Sequence, residues 1–302
     1  MNLFTAMSIG SQLNTPWVSS FQPESEAIFA AMVPSPSPAR KTAIDQLVVT
    51  LKNGAVWANL DCLEIFAAHS QQAASLNWIA PTGGISASLV GGAFWTVDSC
   101  YGNVNTAGSG VNTGFTPSGG VKYQLADSGI GYYVSKIPTL PAGSTSRRTF
   151  FGAMDAVYQA GETLPWHEAL PFARCLSYRK ADNRLQVAMN HDVSVQTMAS
   201  VADNLGTYVI ANPAAAFPGR KLTAWLRGDT SDLLDVDSPL GVFDRPSVPV
   251  YLGAVALSDG IGGHVVQFPS NAEFAMFYAG KRLPVVKRQI IHDAVAAYLA
   301  AL

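Results

Sequence analysis

The stretch NAEFAMFYAGKRLPVVKRQIIHDAVAAYLAAL, residues 271–302, decides how this chain is read. Phe274, Met276 and Tyr278 alternate as the buried side of a strand does, and the run stops at Gly280. Lys281, Arg282 and Pro284 follow. Ile290, Ile291, Val295, Tyr298 and Leu299 then share one face of a helix over residues 285–299. Further back, the glycine-rich run 101–120, YGNVNTAGSGVNTGFTPSGG, opens a series of short strands that this segment closes.

Those strands are expected at residues 93–97, 131–135, 149–154, 173–179, 185–190, 206–210, 222–227, 249–256 and 273–278. Gly, Pro, Asn and Asp clusters separate them, Lys180-Ala181-Asp182-Asn183 among them. Short strands at this spacing with no helices between them favour a sandwich over a parallel βαβ sheet. Before them lies a helical segment. Pro23 with Glu24 and Glu26 suits a first turn, Ser37-Pro38 a cap and first position, and Gly54 a stop. Ile44, Leu47, Val48 and Leu51 make the stripe between them, and a third helix is expected over residues 56–68, burying Trp57, Leu60 and Leu63. The fold class is therefore mainly β: a jelly-roll sandwich preceded by a small helical segment and closed by a C-terminal helix. The divisions are an extended N-terminal arm (1–22), the helical segment (23–84), the sandwich (85–283) and the terminal helix (284–302).

Of the 302 residues, 48% are hydrophobic and only 13% charged, against the usual quarter. A surface this poor in charge is either polar and uncharged or covered by neighbours in an assembly. The net charge of −2 offers no counterion release for nucleic acid. No run of about 18 apolar residues exists to span a membrane. The opening MNLFTAMSIGSQLN lacks the basic start and apolar core of a signal peptide, so cytoplasmic synthesis is the expectation. Cys62, Cys100 and Cys175 are odd in number and widely spaced, which reads as buried free thiols. Trp17 and Phe21, the bulky handles of the arm, serve either its own body or a partner subunit.

The helical segment, including Asn59-Leu60-Asp61-Cys62-Leu63-Glu64, the run YGNVNTAGSGVNTGF and the exit FYAGKRL at 277–283 together resemble bacteriophage structural proteins. These are tail or fibre components that carry a concanavalin A-like (laminin G-like) jelly roll. The resemblance covers most of the chain from about Ser25 onward; the N-terminal arm has no counterpart. It implies a virion protein made in the host bacterial cytoplasm, with other virion proteins, copies of itself and a host surface glycan as partners.

Retaining sugar hydrolysis needs two carboxylates about 5 Å apart, and the glucanases of this fold set theirs as Glu-x-Asp-x-x-Glu. Glu24, Glu26, Glu64, Glu162, Glu168 and Glu273 form no such pattern, and Pro165 breaks the strand that would align Glu162 with Glu168. There is no Gly-x-Ser-x-Gly elbow, no phosphate loop and no metal spacing among His69, His167, His191, His264 and His292. The expectation is a non-enzymatic attachment component without a cofactor. A carbohydrate-binding module is the alternative, and a glycan hydrolase of the same fold a third. For binding, Trp166, His167 and Glu168 set an aromatic face beside hydrogen-bonding groups in a proline-flanked loop, which suits sugar stacking; an anchor folded on the core is the competing use of Trp166. Asp229 and Asp232, with Asp235 and Asp237, either hold calcium through oxygen ligands or form a solvated loop.

Overall fold

The structure, a computed structural model, describes residues 21–101, 106, 108–137, 148–155, 174–179, 184–190, 196–200, 206–212, 221–226, 234–237, 244–267 and 269–302. In chain order the elements are α1 (Pro23–Ala31), α2 (Pro38–Asn53), β1 (Leu60–Ile65), α3 (Gln71–Ala74), β2 (Ser88–Val90), β3 (Phe94–Trp95), β4 (Cys100–Tyr101) and β5 (Gly110–Asn112). Then come β6 (Ser128–Lys136), β7 (Arg148–Met154), β8 (Arg174–Arg179), β9 (Arg184–Met189), β10 (Gln196–Ser200), β11 (Gly206–Asn212), β12 (Lys221–Leu226) and β13 (Leu234–Asp237). The chain ends with β14 (Tyr251–Leu252), β15 (Val255–Ser258), β16 (His264–Gln267), β17 (Glu273–Gly280) and α4 (Val285–Ala300). The protein is mainly β, with two sheets and a C-terminal helix.

The first sheet runs β13-β12-β11-β6-β17-β4-β3, with β1 also paired to β17; the second runs β10-β9-β8-β7-β14-β5-β2, with β15 and β16 attached at β7. Pairing is antiparallel except between β15 and β7. Two apolar cores follow from this layering. One lies between the sheets and includes Phe150, Phe151, Val187, Phe274 and Phe277. The other lies between the outer face of the first sheet and helices α1, α2 and α4, and includes Ile44, Leu47, Met276, Tyr278, Ile291 and Val295.

Strand β17 serves both cores. Phe274, Phe277 and Ala279 enter the inter-sheet core, while Ala275, Met276 and Tyr278 enter the helical one. The register against β6 shifts between Phe274 and Met276, and such a bulge places two consecutive residues on one side. Burial on both faces is why the segment is apolar at nearly every position rather than at every second one.

The third helix expected over 56–68 does not form. Trp57–Asn59 make a single 3-10 turn, and Leu60–Ile65 become β1, antiparallel to β17 with Leu63 opposite Tyr278. A short apolar run is ambiguous by period alone; here both edges of the run are satisfied as a strand. Asn77 closes the edge away from β17: its Oδ1 accepts from Leu63 N (3.0 Å) and its Nδ2 donates to the Asp61 carbonyl (3.1 Å). Cys62 and Phe66 face the inter-sheet core while Leu63 and Ile65 face the helices, so no polar helix face was ever available.

The other helices form as read. Ser37 Oγ accepts from Arg40 N (3.3 Å) with Pro38 at the first position, and Gly54 ends α2. Lys52 ties α1 to α2 through Glu24 at 2.7 Å. Helix α4 packs beside α2 and on β11, where His292 Nδ1 meets Thr207 Oγ1 at 3.0 Å and stacks on Tyr133. No helix among the described residues is long and apolar enough to cross a membrane. The turn at 180–183 lies outside the described residues, although the strands it joins pair antiparallel.

Gly131 of β6 sits under the ring of Tyr278, which a Cβ would overlap. A Gly131→Ala variant is therefore expected to lose about 1–3 kcal/mol, the usual cost of overpacking. Chemical denaturation checks this; an unchanged midpoint would show that the tyrosine is free to move.

Candidate functional site

At one side of the sandwich the two sheets end on β3 and β2, and a pocket opens between them. Buried Phe66, Cys100 and Val111 form its inner wall, half-buried Trp95 and Leu89 its sides, and Gln71, Ser75 and Ser88 its rim. Its interior is small, with about 30 Å³ open to a water-sized group, and the rest of the depression is open to solvent. The wall is carbon-lined, and the rim groups are neutral amide and hydroxyl. This is the chemistry of a site for an uncharged ligand with one apolar face.

Each wall is fixed by local chemistry. Trp95 Nε1 donates to the Phe66 carbonyl at 3.0 Å, which holds the indole against β1. Ser70 caps the short α3 by accepting from Ala73 N (3.1 Å), and its hydroxyl donates to the Val33 carbonyl (2.9 Å). Gln72 reaches the same turn, accepting from Val33 N (2.7 Å) and donating to the Ala31 carbonyl (3.0 Å). Helix α3 is thus suspended from the helical layer across the gap between the sheets.

The hairpin β3–β4 presents a different pair beside this site. Phe94 is 47% exposed, and its ring lies 5.4 Å from that of Tyr101. Phe94 pairs with Tyr101, Tyr101 with Glu273, and Glu273 with Lys136, so four strands bring these side chains into one row. Glu273 is held from both sides, by Lys136 Nζ at 2.9 Å and Ser99 Oγ at 3.1 Å.

Glu64 of β1 lies opposite Phe277 and is 0% exposed. Neither of its carboxylate oxygens has a hydrogen-bond partner among the described residues. Burial pushes its pKa well above the usual carboxylate range; the neighbouring Cys62 thiol opposes the shift weakly, without reaching bonding geometry. Burial therefore favours the protonated, neutral form of Glu64. The Cys100 thiol, in the pocket wall, is likewise pushed well above its usual range, chiefly by burial.

Trp17, Trp166, His167, Glu168, Asp229 and Asp232 lie outside the described residues. Phe21 packs edge to face on Phe29 of α1 at 5.3 Å. Cys62, Cys100 and Cys175 are free and buried. His69 bonds the Pro34 carbonyl, His264 the Tyr251 hydroxyl and His292 Thr207. Among the described residues no three His, Cys, Asp or Glu side chains gather as a metal site. Sequence reasoning missed Trp95 and Glu64. The signal for Glu64 was present: one carboxylate inside the apolar run Cys62–Ala68 has no solvated face to occupy.

No family model and no curated protein matches the chain. Among solved structures it is similar to Trypanosoma rangeli sialidase in complex with 2,3-difluoro-KDN, at TM-score 0.46 and 11% identity over 85% of this chain. It spans 39% of that sialidase's length. It is also similar to the CBM40 of Ruminococcus gnavus IT-sialidase bound to α2,3-sialyllactose, at TM-score 0.36 and 12% identity over 67% of this chain and 91% of that one. A carbohydrate esterase from the Shiga toxin-encoding bacteriophage phi24B follows at TM-score 0.38 and 12% identity, over 74% of this chain and 99% of that one. These are β-sandwich-like folds. They also correct one expectation: the similar structures include sialidases and a carbohydrate esterase, which are enzymes, so the label of non-enzyme does not stand.

The Glu64 carboxyl makes stability depend on pH with a definite sign. Its pKa is higher folded than unfolded, so its contribution is fully present below about pH 4.3, the unfolded value. Above that pH the unfolded chain has released a proton that the native state retains, and stability falls by up to about 1.4 kcal/mol per pH unit until the folded pKa is passed. Glu64→Gln should flatten this dependence above about pH 4.3 in denaturant titrations. Parallel curves for variant and wild type would show that the carboxyl is ionised in the fold.

Proposed function

We propose that this chain is a glycan-recognising β-sandwich of the concanavalin A-like jelly-roll class, working at the surface of a bacteriophage particle in attachment to its host. The observation that carries the recognition half is the pocket where the sheets part. An indole wall beside neutral amide and hydroxyl groups matches a sugar ring, which offers an apolar C–H face and an edge of hydroxyls. The exposed Phe94–Tyr101 pair on the same hairpin extends the aromatic surface past the pocket. The similar sialidases, the sialyllactose-bound module and the carbohydrate esterase are in keeping with this reading but do not carry it.

The particle half rests on the sequence. Low charge and the resemblance of the segments around residues 59–64, 101–115 and 277–283 to phage tail and fibre components support it. In that setting the protein is made in the bacterial cytoplasm, assembles with other virion proteins and with copies of itself, and meets a host glycan when displayed.

Binding of the full chain to a glycan array, followed by calorimetry on the best ligand, tests the proposal. Trp95→Ala should weaken binding at least tenfold, a loss of about 1.4 kcal/mol, while the melting curve stays cooperative. Binding that survives Trp95→Ala but is lost in Trp166→Ala would move the site to the other tryptophan. A chain that recognises no glycan would contradict the reading.

A further inference from the structure

The closed end of the pocket has about 30 Å³ open to a water-sized group. One water needs about 10–15 Å³ by that measure, so this end admits a group of one or two heavy atoms and no ring. Phe66, Cys100 and Val111 wall it, and each is only 1% exposed. Of the three only Cys100 carries a heteroatom, in a thiol that donates weakly.

The groups nearer the mouth do not supply what the wall lacks. Trp95 Nε1 is committed to the Phe66 carbonyl at 3.0 Å, which leaves the indole only its carbon faces to offer. Ser75 Oγ already donates to the Gln72 carbonyl at 2.8 Å. No charged side chain lines the pocket among the described residues. A hydroxyl pushed to the closed end therefore gives up its water for no partner, which is costly. A carboxylate meets no cation there and is disfavoured more strongly. A methyl group loses nothing and leaves water for carbon.

We propose that this pocket selects 6-deoxyhexoses: the methyl on C5 enters the closed end against Phe66 and Val111, the ring lies at the mouth on Trp95, and the ring hydroxyls meet Gln71 and Ser88 at the rim. The inference rests on the glycan reading above and names the ligand class of the same site. A methyl carried directly on a ring carbon enters alone. An acetamido methyl stands two atoms further from its ring, so seating it either draws the amide into the dry end or lifts the ring off the indole.

L-Fucose and L-galactose, L-rhamnose and L-mannose, and 6-deoxy-D-glucose and D-glucose differ within each pair only by a methyl in place of a hydroxymethyl on C5. They serve as probes in NMR titrations of the intact chain. In at least one pair the deoxy sugar should bind at least tenfold more tightly, within the roughly hundredfold that an apolar pocket imposes on an added hydroxyl. Ala87 also lines the pocket, and Ala87→Val takes up its room with two further methyls. That variant should bring the affinities of the discriminated pair within about twofold; a cooperative melting curve checks its folding, and the wild-type ratio tests the proposal without any variant. Equal affinities within every pair, tighter binding of the hydroxymethyl sugars, binding confined to other glycans, or a preference that survives in folded Ala87→Val would overturn methyl selection and leave glycan recognition standing. If no glycan binds at all, both fall together.

Discussion

Everything in this fold depends on burying both faces of one strand. Strand β17 has the helical layer on one side and the second sheet on the other, and its neighbours β6, β1 and β4 complete its hydrogen bonding along both edges. A strand so placed has no solvent-facing residues to spare. From Phe274 to Gly280 it is apolar at every position, and it must carry a bulge where two successive residues are wanted by the same core. Removing water from two interfaces at once is worth far more than from one, at roughly 25 cal/mol per Å² of apolar surface. Residues 271–302 therefore bring a sheet, a helix and the N-terminal helices into one packed body.

The candidate site is a consequence of the same layering. Strand β1 pairs with only the end of β17 nearer α4, so β4 and β3 take up the other end and finish the sheet on a two-residue strand. The second sheet finishes nearby on β2. Two sheets that end on short strands leave an opening, and α3, hung from the turn at 33–34, spans it without filling it. Glu64 is buried because β1 must present alternate residues to the inter-sheet core. The apolar partners on either side of it explain why its carboxyl is dry.

Much of this architecture was legible in the residues. Ser37-Pro38 and Gly54 bounded α2, the five-residue apolar stripe identified α4, and the longer strands β6, β7, β8, β9, β11, β12 and β17 were found within a few residues of their places. What failed, failed for a stated reason. Leu60–Ile65 buries both faces, so it shows neither the period of two nor the period of 3.6, and only its pairing with β17 makes it a strand. Strands of two or three residues, such as β2, β4 and β5, are too short for any period. The site draws on Phe66, Gln71, Ser88, Trp95, Cys100 and Val111, which no spacing rule connects. Their neighbourhood arises from topology.

The central claim is that β17 joins the helical layer and the two sheets into a single cooperative unit. Native-state hydrogen exchange of the intact chain tests it most directly. The amides of Phe277, Tyr278 and Ala279 should exchange only through global unfolding, with the same opening free energy as Leu47 and Val48 in α2 and Val295 in α4. If the helices opened at markedly lower free energy while β17 stayed protected against β6 alone, the helical layer would be an appendage and the account would be contradicted.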